Sequence, residues 1–540
     1  MKSSRKLARL RVGRLLLLAL LGPLLPTSAQ AQAPARRVLV KQYDVFGNTL
    51  LESAALDQAL APFKGEHSFD ELKQAAAAVQ ALYRQAGYGA VLAYLPAQGV
   101  VDGQVTIGVL EGRLSTVVVS GNSVFSEANI RRSLPLLQTG LTPQVRALDA
   151  QVRLANENPA KQIALTLEPG QNPGEVEAEV VVTEQTPRHW LLALDNTGTA
   201  DTGRWRASLG FRDAALWDRD HQLSLQFQTA PDKLGAVSVY SADYRVPLYT
   251  PQLMFDAFAA YSDVDAGSTG TAAGPLQFNG RGRMWSLRLS RMLQRQNETD
   301  QRLGLSLNER AYLNSCRIDG LPAGACGPAG ESVTVHPLTL DYSAQFGRPH
   351  ELTVNALLSH NLPWGGAHTD AADFNAVRPG ATRNYTTLRL GATGALAWHA
   401  WQLSTRLEGQ WASQALVPGE QFGISGAKAV RGYEERELTG DQGAYASLEL
   451  YGPELAPVLS ERLTSARMLG FVDAGKVSNH LATPCLTNAR SSCSLTSVGA
   501  GGRVSAAGLQ WRLDLAHVLS QGNRTGRGTN RLHLLASYDF

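Results

Sequence analysis

The feature that most limits what this chain can fold into is a change of texture at His189. Beyond it, apolar and polar residues alternate with a period of two, in runs of about ten residues or more. Leu223-Ser224-Leu225-Gln226-Phe227-Gln228 and Gln402-Leu403-Ser404-Thr405-Arg406-Leu407-Glu408 each present one mainly apolar face and one polar or charged face. Trp205, Ala207, Leu209 and Phe211 alternate with Arg206, Ser208 and Gly210, while Trp511, Leu513 and Leu515 alternate with Arg512 and Asp514. Side chains along a strand point to opposite faces in turn, so these runs predict strands between two different environments. A soluble sandwich and a membrane barrel both have this pattern. Past the first 25 residues no run of 18 apolar residues occurs, which excludes helical membrane spans and leaves the barrel open.

The N-terminus favours the barrel, because it predicts export. Lys2, Arg5, Lys6, Arg9, Arg11 and Arg14 precede the apolar stretch Leu15 to Leu25, and Ala29-Gln30-Ala31 supplies small residues for cleavage, giving a signal peptide over 1–31. The alternative, an uncleaved anchor helix, is disfavoured by the short stretch and by Pro23 and Pro26. Strands are expected near 190, 204, 221, 235, 252, 283, 302, 333, 351, 384, 401, 443, 466, 497, 510 and 531, sixteen in all, and an even number returns the C-terminus to the periplasmic side. The last run, Leu532, Leu534, Ala536, Tyr538 and Phe540, ends on aromatics. Tyr538 and Phe540 resemble the C-terminal assembly signal of bacterial outer-membrane barrels, which implies the barrel assembly machinery as a partner during biogenesis and outer-membrane lipid as the surroundings. Cys316 with Cys326, and Cys485 with Cys493, fall in odd-to-even connections, the longer external loops, where each pair is able to close a short disulfide. Neither pair has metal-ligand spacing or a neighbouring His, so metal binding is the weaker reading. The net charge is 50 − 47 = +3 without a basic block, so nucleic acid is not an expected partner.

Ahead of the barrel lies a duplication. Val38 to Phe46 reads as β and ends at Gly47-Asn48. A short helix Ser53 to Ala61 follows, then a longer one with the capping box Ser68 and Glu71, apolar positions Leu72, Ala75, Val79, Tyr83 and Ala86, and Gly87 as its stop. Strands Tyr88 to Leu95 and Gln104 to Leu110 close the unit. The order recurs with Val117 to Val119, Gly121-Asn122, a helix from Ser126, a second over Val145 to Asn158, and strands Gln162 to Leu167 and Val176 to Thr183. A duplicated α+β module of about 75 residues accounts for this.

Four signatures then carry a resemblance. Val45 to Leu51, Ala81 to Tyr88, Leu95 to Gln98 and Val105 to Gly112 resemble a POTRA domain of the two-partner secretion outer-membrane transporters, the TpsB-type family of haemolysin secretion/activation and filamentous-haemagglutinin transporters. Leu194 to Gly198, with Thr202 to Trp205, is similar to the family's first barrel strand and hairpin. Val430-Arg431-Gly432-Tyr433 is similar to its sixth-loop motif, and Gly470-Phe471-Val472-Asp473-Ala474-Gly475 to the partner strand motif. The resemblance implies a mainly β fold, a 16-stranded transmembrane antiparallel β-barrel preceded by two α+β POTRA domains. It divides the chain into POTRA domains at 38–113 and 114–187 and a barrel at 189–540, with an inward-folded loop near 417–441. It also implies a large secreted exoprotein, with its own N-terminal secretion domain, as the partner. Relatives often carry a pore-plugging helix before the first POTRA domain; cleavage near Ala31 leaves little room for one here.

The partner strand motif also has a physical reading of its own. Alternation puts Phe471, Asp473 and Gly475 on one face and Gly470, Val472 and Ala474 on the other; a carboxylate facing hydrocarbon costs several kcal/mol, whereas a lumenal one stays hydrated or paired, so Asp473 is expected to face the lumen. From the residues alone the favoured reading is a solvated loop arginine and an unrelated lumenal aspartate; the resemblance implies instead that Arg431 folds down the lumen and makes a bidentate contact with Asp473. Arg206, Arg406, Glu408, Glu449, Arg512 and Asp514 are expected to be a hydrated wall. No catalytic motif occurs (HExxH, GxSxG and GxxxxGK[ST] are absent), and Gly499-Ala500-Gly501-Gly502 lies in a strand, where small residues permit close packing. No enzyme activity, cofactor or metal is expected. Three functions are open: a protein-secretion transporter, a barrel-assembly insertase of the same superfamily, and a passive porin. Two modules favour the first, since the insertases usually carry three or five and a porin needs none.

Overall fold

A computed structural model describes residues 37–540 except 201, 265–267, 272–273, 278–279, 296–297, 315–326, 348–350 and 486–490. The expected signal peptide and the Cys316–Cys326 pair lie outside the described residues.

The first module contains the helices Ser53–Leu60 and Phe69–Gln85 and a sheet in the order Gln42–Phe46, Gln104–Glu111, Val91–Tyr94. Its longer helix starts at the expected capping box: Ser68 N donates to Glu71 Oε2 at 2.6 Å, and Glu71 N to Ser68 Oγ at 3.4 Å. Two details differ from expectation. The run read as one strand is two, Arg37–Val40 and Gln42–Phe46, interrupted where Lys41 N and Gln42 N both donate to the Gly103 carbonyl. Arg37–Val40 instead pairs with Gly65–Ser68, a strand with no apolar alternation to announce it.

The second module repeats the plan, with helices Glu127–Ser133 and Val145–Ala155 and a sheet in the order Arg113–Ser120, Glu175–Glu184, Lys161–Pro169. The repeat extends to atoms. Gly47 and Gly121 have φ +85° and +81°, and a Cβ on either would lie 2.2 Å from Val109 O or 2.3 Å from Val182 O. Asn48 and Asn122 then each donate through Nδ2 to the carbonyl three residues on, Leu51 O and Phe125 O. The Gly-Asn pair thus serves a close approach of the turn to the central strand, beyond the positive φ its sequence suggests.

Sixteen strands among the described residues close into an antiparallel barrel from Arg188–Asp195 to Asn530–Asp539; the eighth is interrupted at His336, between Val333–Val335 and Pro337–Phe346. The ring closes where Leu535 pairs with Asp195 and Asp539 with Leu191, and Trp190 and Phe540 exchange backbone hydrogen bonds at 2.8 and 3.1 Å. Leu225, Leu289, Leu358, Leu407, Val472 and Leu515 are exposed on its outer face, while Asp213, Asp256, Asp473 and Asp514 are buried inside. That is the inverse of a soluble protein, and it gives a lipid-facing belt around a polar interior. Among the described residues no helix is long and apolar enough to cross a membrane.

Candidate functional site: the loop inside the barrel

Between strands Trp401–Ala412 and Gln442–Tyr451 runs the sixth odd-to-even loop, folded as a narrow hairpin in which Phe422–Gly423 pairs with Thr439–Gly440. Phe422, Ile424, Val430, Tyr433 and Leu438 are buried against Tyr445, Val477, Leu495 and Val518 of the barrel wall. The loop therefore has a hydrophobic core of its own inside the lumen. Gly475 makes room for it, since a Cβ there would lie 3.1 Å from Ile424 Cδ1.

At the loop tip Arg431 is 1% exposed and Asp473 is fully buried. Arg431 Nε donates to Asp473 Oδ2 and Nη2 to Oδ1, both at 2.7 Å, and Arg431 N adds a third bond at 3.1 Å. This is the bidentate fork that guanidinium and carboxylate geometry allows. Two of the three remaining guanidinium protons are also used: Nη1 donates to Glu449 Oε1 at 2.5 Å and Nη2 to Ser447 Oγ at 3.0 Å. The guanidinium carbon stacks 3.5 Å from the Phe471 ring centroid, so Phe471 is the platform beneath the ion pair. Gly432 has φ +98° and donates its N–H to His533 Nε2 at 2.8 Å; a Cβ there would meet Val518 Cγ2 at 2.7 Å. Tyr433 OH bonds Thr496 O and Ser520 O at 3.0 and 2.8 Å. Gly470 faces outward, and its nearest atom to a Cβ is Gly499 O at 3.9 Å, so packing makes no demand on it.

Of the expected hydrated wall, Glu408 is exposed and Arg406 and Arg512 are half-buried, whereas Arg206, Glu449 and Asp514 are held in contacts inside the lumen. Asp514 is 1% exposed and binds Arg503 Nη1 at 2.9 Å and Arg512 Nε at 3.1 Å, with Arg431 Nη1 at 3.6 Å; Glu449 reaches Arg431, Arg503 and Arg512. Three arginines and three carboxylates, counting Asp473, thus form one balanced network. Arg406 Nη1 supports the loop at Lys428 O, and Arg206 is buried over Gly203 O and Thr202 Oγ1. Alternation places these side chains on the lumenal face, but it does not say that the sixth loop will return to contact Glu449, Arg503, Arg512 and Asp514. The glycine run has a place in the same network: a Cβ on Gly499 would lie 2.4 Å from Phe471 Cζ, and one on Gly501 2.2 Å from Asp514 Oδ1.

The loop has three further attachments that its sequence does not suggest. Glu420 accepts both bonds of Arg310 Nη1 at 2.9 and 2.8 Å, with Tyr312 OH at 2.7 Å. Asp441 accepts from Arg378 Nη1 and Nη2, from Leu416 N and from His480 N. Glu437 meanwhile ties the loop to the last odd-to-even loop through Arg524 N, Thr525 N and Thr525 Oγ1. Nearby, Cys485 and Cys493 form a disulfide.

The comparisons with known proteins agree with this architecture. A family model described as haemolysin secretion/activation protein ShlB/FhaC/HecB matches residues 174–503, and one for the ShlB-type POTRA domain matches residues 38–112. Outer membrane transporter CdiB of Dickeya dadantii is 24% identical over 422 residues, 77% of this chain and 71% of that protein. Heme/hemopexin transporter protein HuxB of Haemophilus influenzae is 22% identical over 456 residues, 82% of this chain and 76% of that protein. The solved structure of CdiB from Escherichia coli superposes with a TM-score of 0.75, at 18% identity, covering 95% of this chain and 92% of that one. The fold and these matches define an outer-membrane translocator with periplasmic POTRA domains. The chain belongs to the ShlB/FhaC/HecB family of haemolysin secretion/activation proteins, the transporters of two-partner secretion.

Proposed function

We propose that the chain secretes one large exoprotein, captured unfolded by the POTRA domains in the periplasm and passed through the barrel, and that Arg431 and Asp473 anchor the sixth loop during transport. The observation that carries this reading is the inward loop. A passive porin needs no buried hairpin fixed by a fork at its tip and by Glu420 and Asp441 at its base. Capture by strand addition suits an unfolded chain, because the backbone of any sequence can pair with a free sheet edge. With no nucleotide outside the inner membrane, direction comes from folding on the far side, where each folded segment is unable to slip back. Tyr538 and Phe540 serve as the signal read by the assembly machinery, and 1–31 as the export signal.

The test is the secretome of cells lacking this chain. Loss of one large exported protein from the medium, restored by the intact gene, supports the reading. Unchanged secretion together with a depleted set of outer-membrane barrels would favour the insertase instead.

A further inference from the structure

We infer that the second POTRA module works while docked on the barrel, with Lys161 as the positioning residue that locks it to the turn Trp217–Asp220; this deepens the secretion reading and rests on it. Lys161 and Asp220 are 3% and 1% exposed. Lys161 Nζ lies 2.7 Å from Asp220 Oδ1 and donates to Asn129 Oδ1 at 2.6 Å. Asp220 also accepts from Tyr249 OH at 2.5 Å and from Asn158 Nδ2 at 3.3 Å, and Asn158 Nδ2 donates to Ala214 O at 2.7 Å. Lys161, Asn129 and Asn158 belong to the module, and Asp220, Tyr249 and Ala214 to the barrel. Burial pulls the lysine's pKa down while Asp220 pulls it up, so the ammonium depends on its partner.

The turn itself is a second observation. Three of its four residues, Trp217, Asp218 and Asp220, have φ of +57°, +53° and +61°, and Gln252 in the next docked turn has +56°. Such backbone persists where its surroundings over-determine it. Here the surroundings are the module: Asp218 accepts from Ser126 N and Oγ through its carboxylate, and from Asn129 Nδ2 and Arg132 Nη1 through its carbonyl. The apolar core is shared as well, since Phe125, Ile130, Leu154 and Ile163 of the module pack in one cluster with Ala214, Tyr249 and Met254 of the barrel.

The position of the dock has a consequence for the route. The module meets three successive turns: Trp217–Asp220, the Tyr249–Gln252 turn (Gln252 Nε2 to Ala147 O, 3.5 Å), and the turn after Met292, where Glu157 pairs with Arg302 at 2.5 Å and Arg153 donates to Leu293 O. These turns join strands two to seven. An exoprotein that passes the docked module enters beneath strands eight to sixteen, the side on which the loop tip borders a polar cavity of about 180 Å³ lined by Ser404, Arg406, Lys428, Glu449 and Arg512.

Ser126→Cys with Asp218→Cys tests the lock in the full-length transporter, because a disulfide between these touching positions fixes the module to the turn. Its formation in isolated outer membranes, mapped by peptide analysis, reads docking without any cargo. The expected result is exoprotein secretion within about twofold of wild type in the oxidised state. A more than tenfold loss that dithiothreitol reverses would overturn the inference, because the module would then have to leave the barrel. Lys161→Met alone should lower secretion at least fivefold with folded barrel unchanged, and the disulfide should restore it, a rescue that a merely structural defect would not give. Normal secretion by Lys161→Met would also overturn it. If wild type itself secretes no partner while the disulfide forms, the secretion reading fails and the dock stands.

Discussion

Arg431 is the side chain whose loss costs most, because removing it strands a carboxylate. Arg431→Ala leaves Asp473 fully buried without its fork, a loss of about 3–5 kcal/mol for a broken buried pair. The strand ladder is untouched, so we expect secretion to fall at least tenfold while heat-modifiable barrel stays at its wild-type amount. Arg431→Lys keeps the charge but not the planar fork, and should be intermediate. The exchange Arg431→Asp with Asp473→Arg should restore little, since the new loop carboxylate would face Glu449 and Asp514; recovery to half of wild type would show that net charge suffices. Arg512→Ala is a member of the network and no neutral control. Lys476→Ala, exposed on the outer face of the Asp473 strand, serves that purpose. Gly499→Ala disturbs both the platform and the wall, because its methyl would lie 2.1 Å from the Leu515 carbonyl and 2.4 Å from Phe471 Cζ, so a loss of secretion should come with less heat-modifiable barrel, unlike that of Arg431→Ala.

The modules and the sixth loop show what a repeat and an alternation can and cannot announce. Gly47 and Gly121 were visible as a repeated word, and their equivalence predicts equal sensitivity: Ala at either should destabilise its module by at least about 1–2 kcal/mol, from positive φ alone, read as faster protease cleavage between residues 38 and 184. A pH effect belongs to the same turn. Glu184 is disfavoured as an anion by burial, but hydrogen bonds from Val124 N, Phe125 N and Ser123 outweigh this and lower its pKa. Its contribution is therefore complete above the ordinary value of 4.5 and lost as pH falls through the lowered one. Glu184→Gln should remove that part of the acid sensitivity of cleavage in the 121–126 turn. The capping box at Ser68 was readable because its spacing is local. The Gly65–Ser68 strand was not, because only its backbone pairs. The same limit applies to the sixth loop: Arg431 and Asp473 stood out as motif words, whereas Glu449, Asp514, Glu420, Asp441 and His533 join the loop through register and a return of the chain that no short spacing encodes.

For the molecule as a whole, sixteen strand starts were legible because every barrel strand separates lipid from a polar lumen, so the period of two survives in each. The dock of the second module on turns far along the chain was not, since Lys161 and Asp220 look like ordinary surface charges until both are buried. The same topology fixes orientation. With POTRA domains in the periplasm, the first strand runs outward, so the loop before the tenth strand, Thr386–Trp398, and the loop before the sixteenth, Asn530–Asp539, face the medium. Cysteines introduced at Asp370 and Arg527, both exposed, should react with a membrane-impermeant maleimide in intact cells. Thr525 in the same loop is a poorer position, because it is buried with Glu437 on its hydroxyl. Gln171, exposed in the hairpin between Lys161–Pro169 and Glu175–Glu184, should react only after the outer membrane is permeabilised. Labelling at Gln171 in intact cells, with Asp370 and Arg527 protected, would invert the barrel and remove the route from periplasm to medium on which secretion depends.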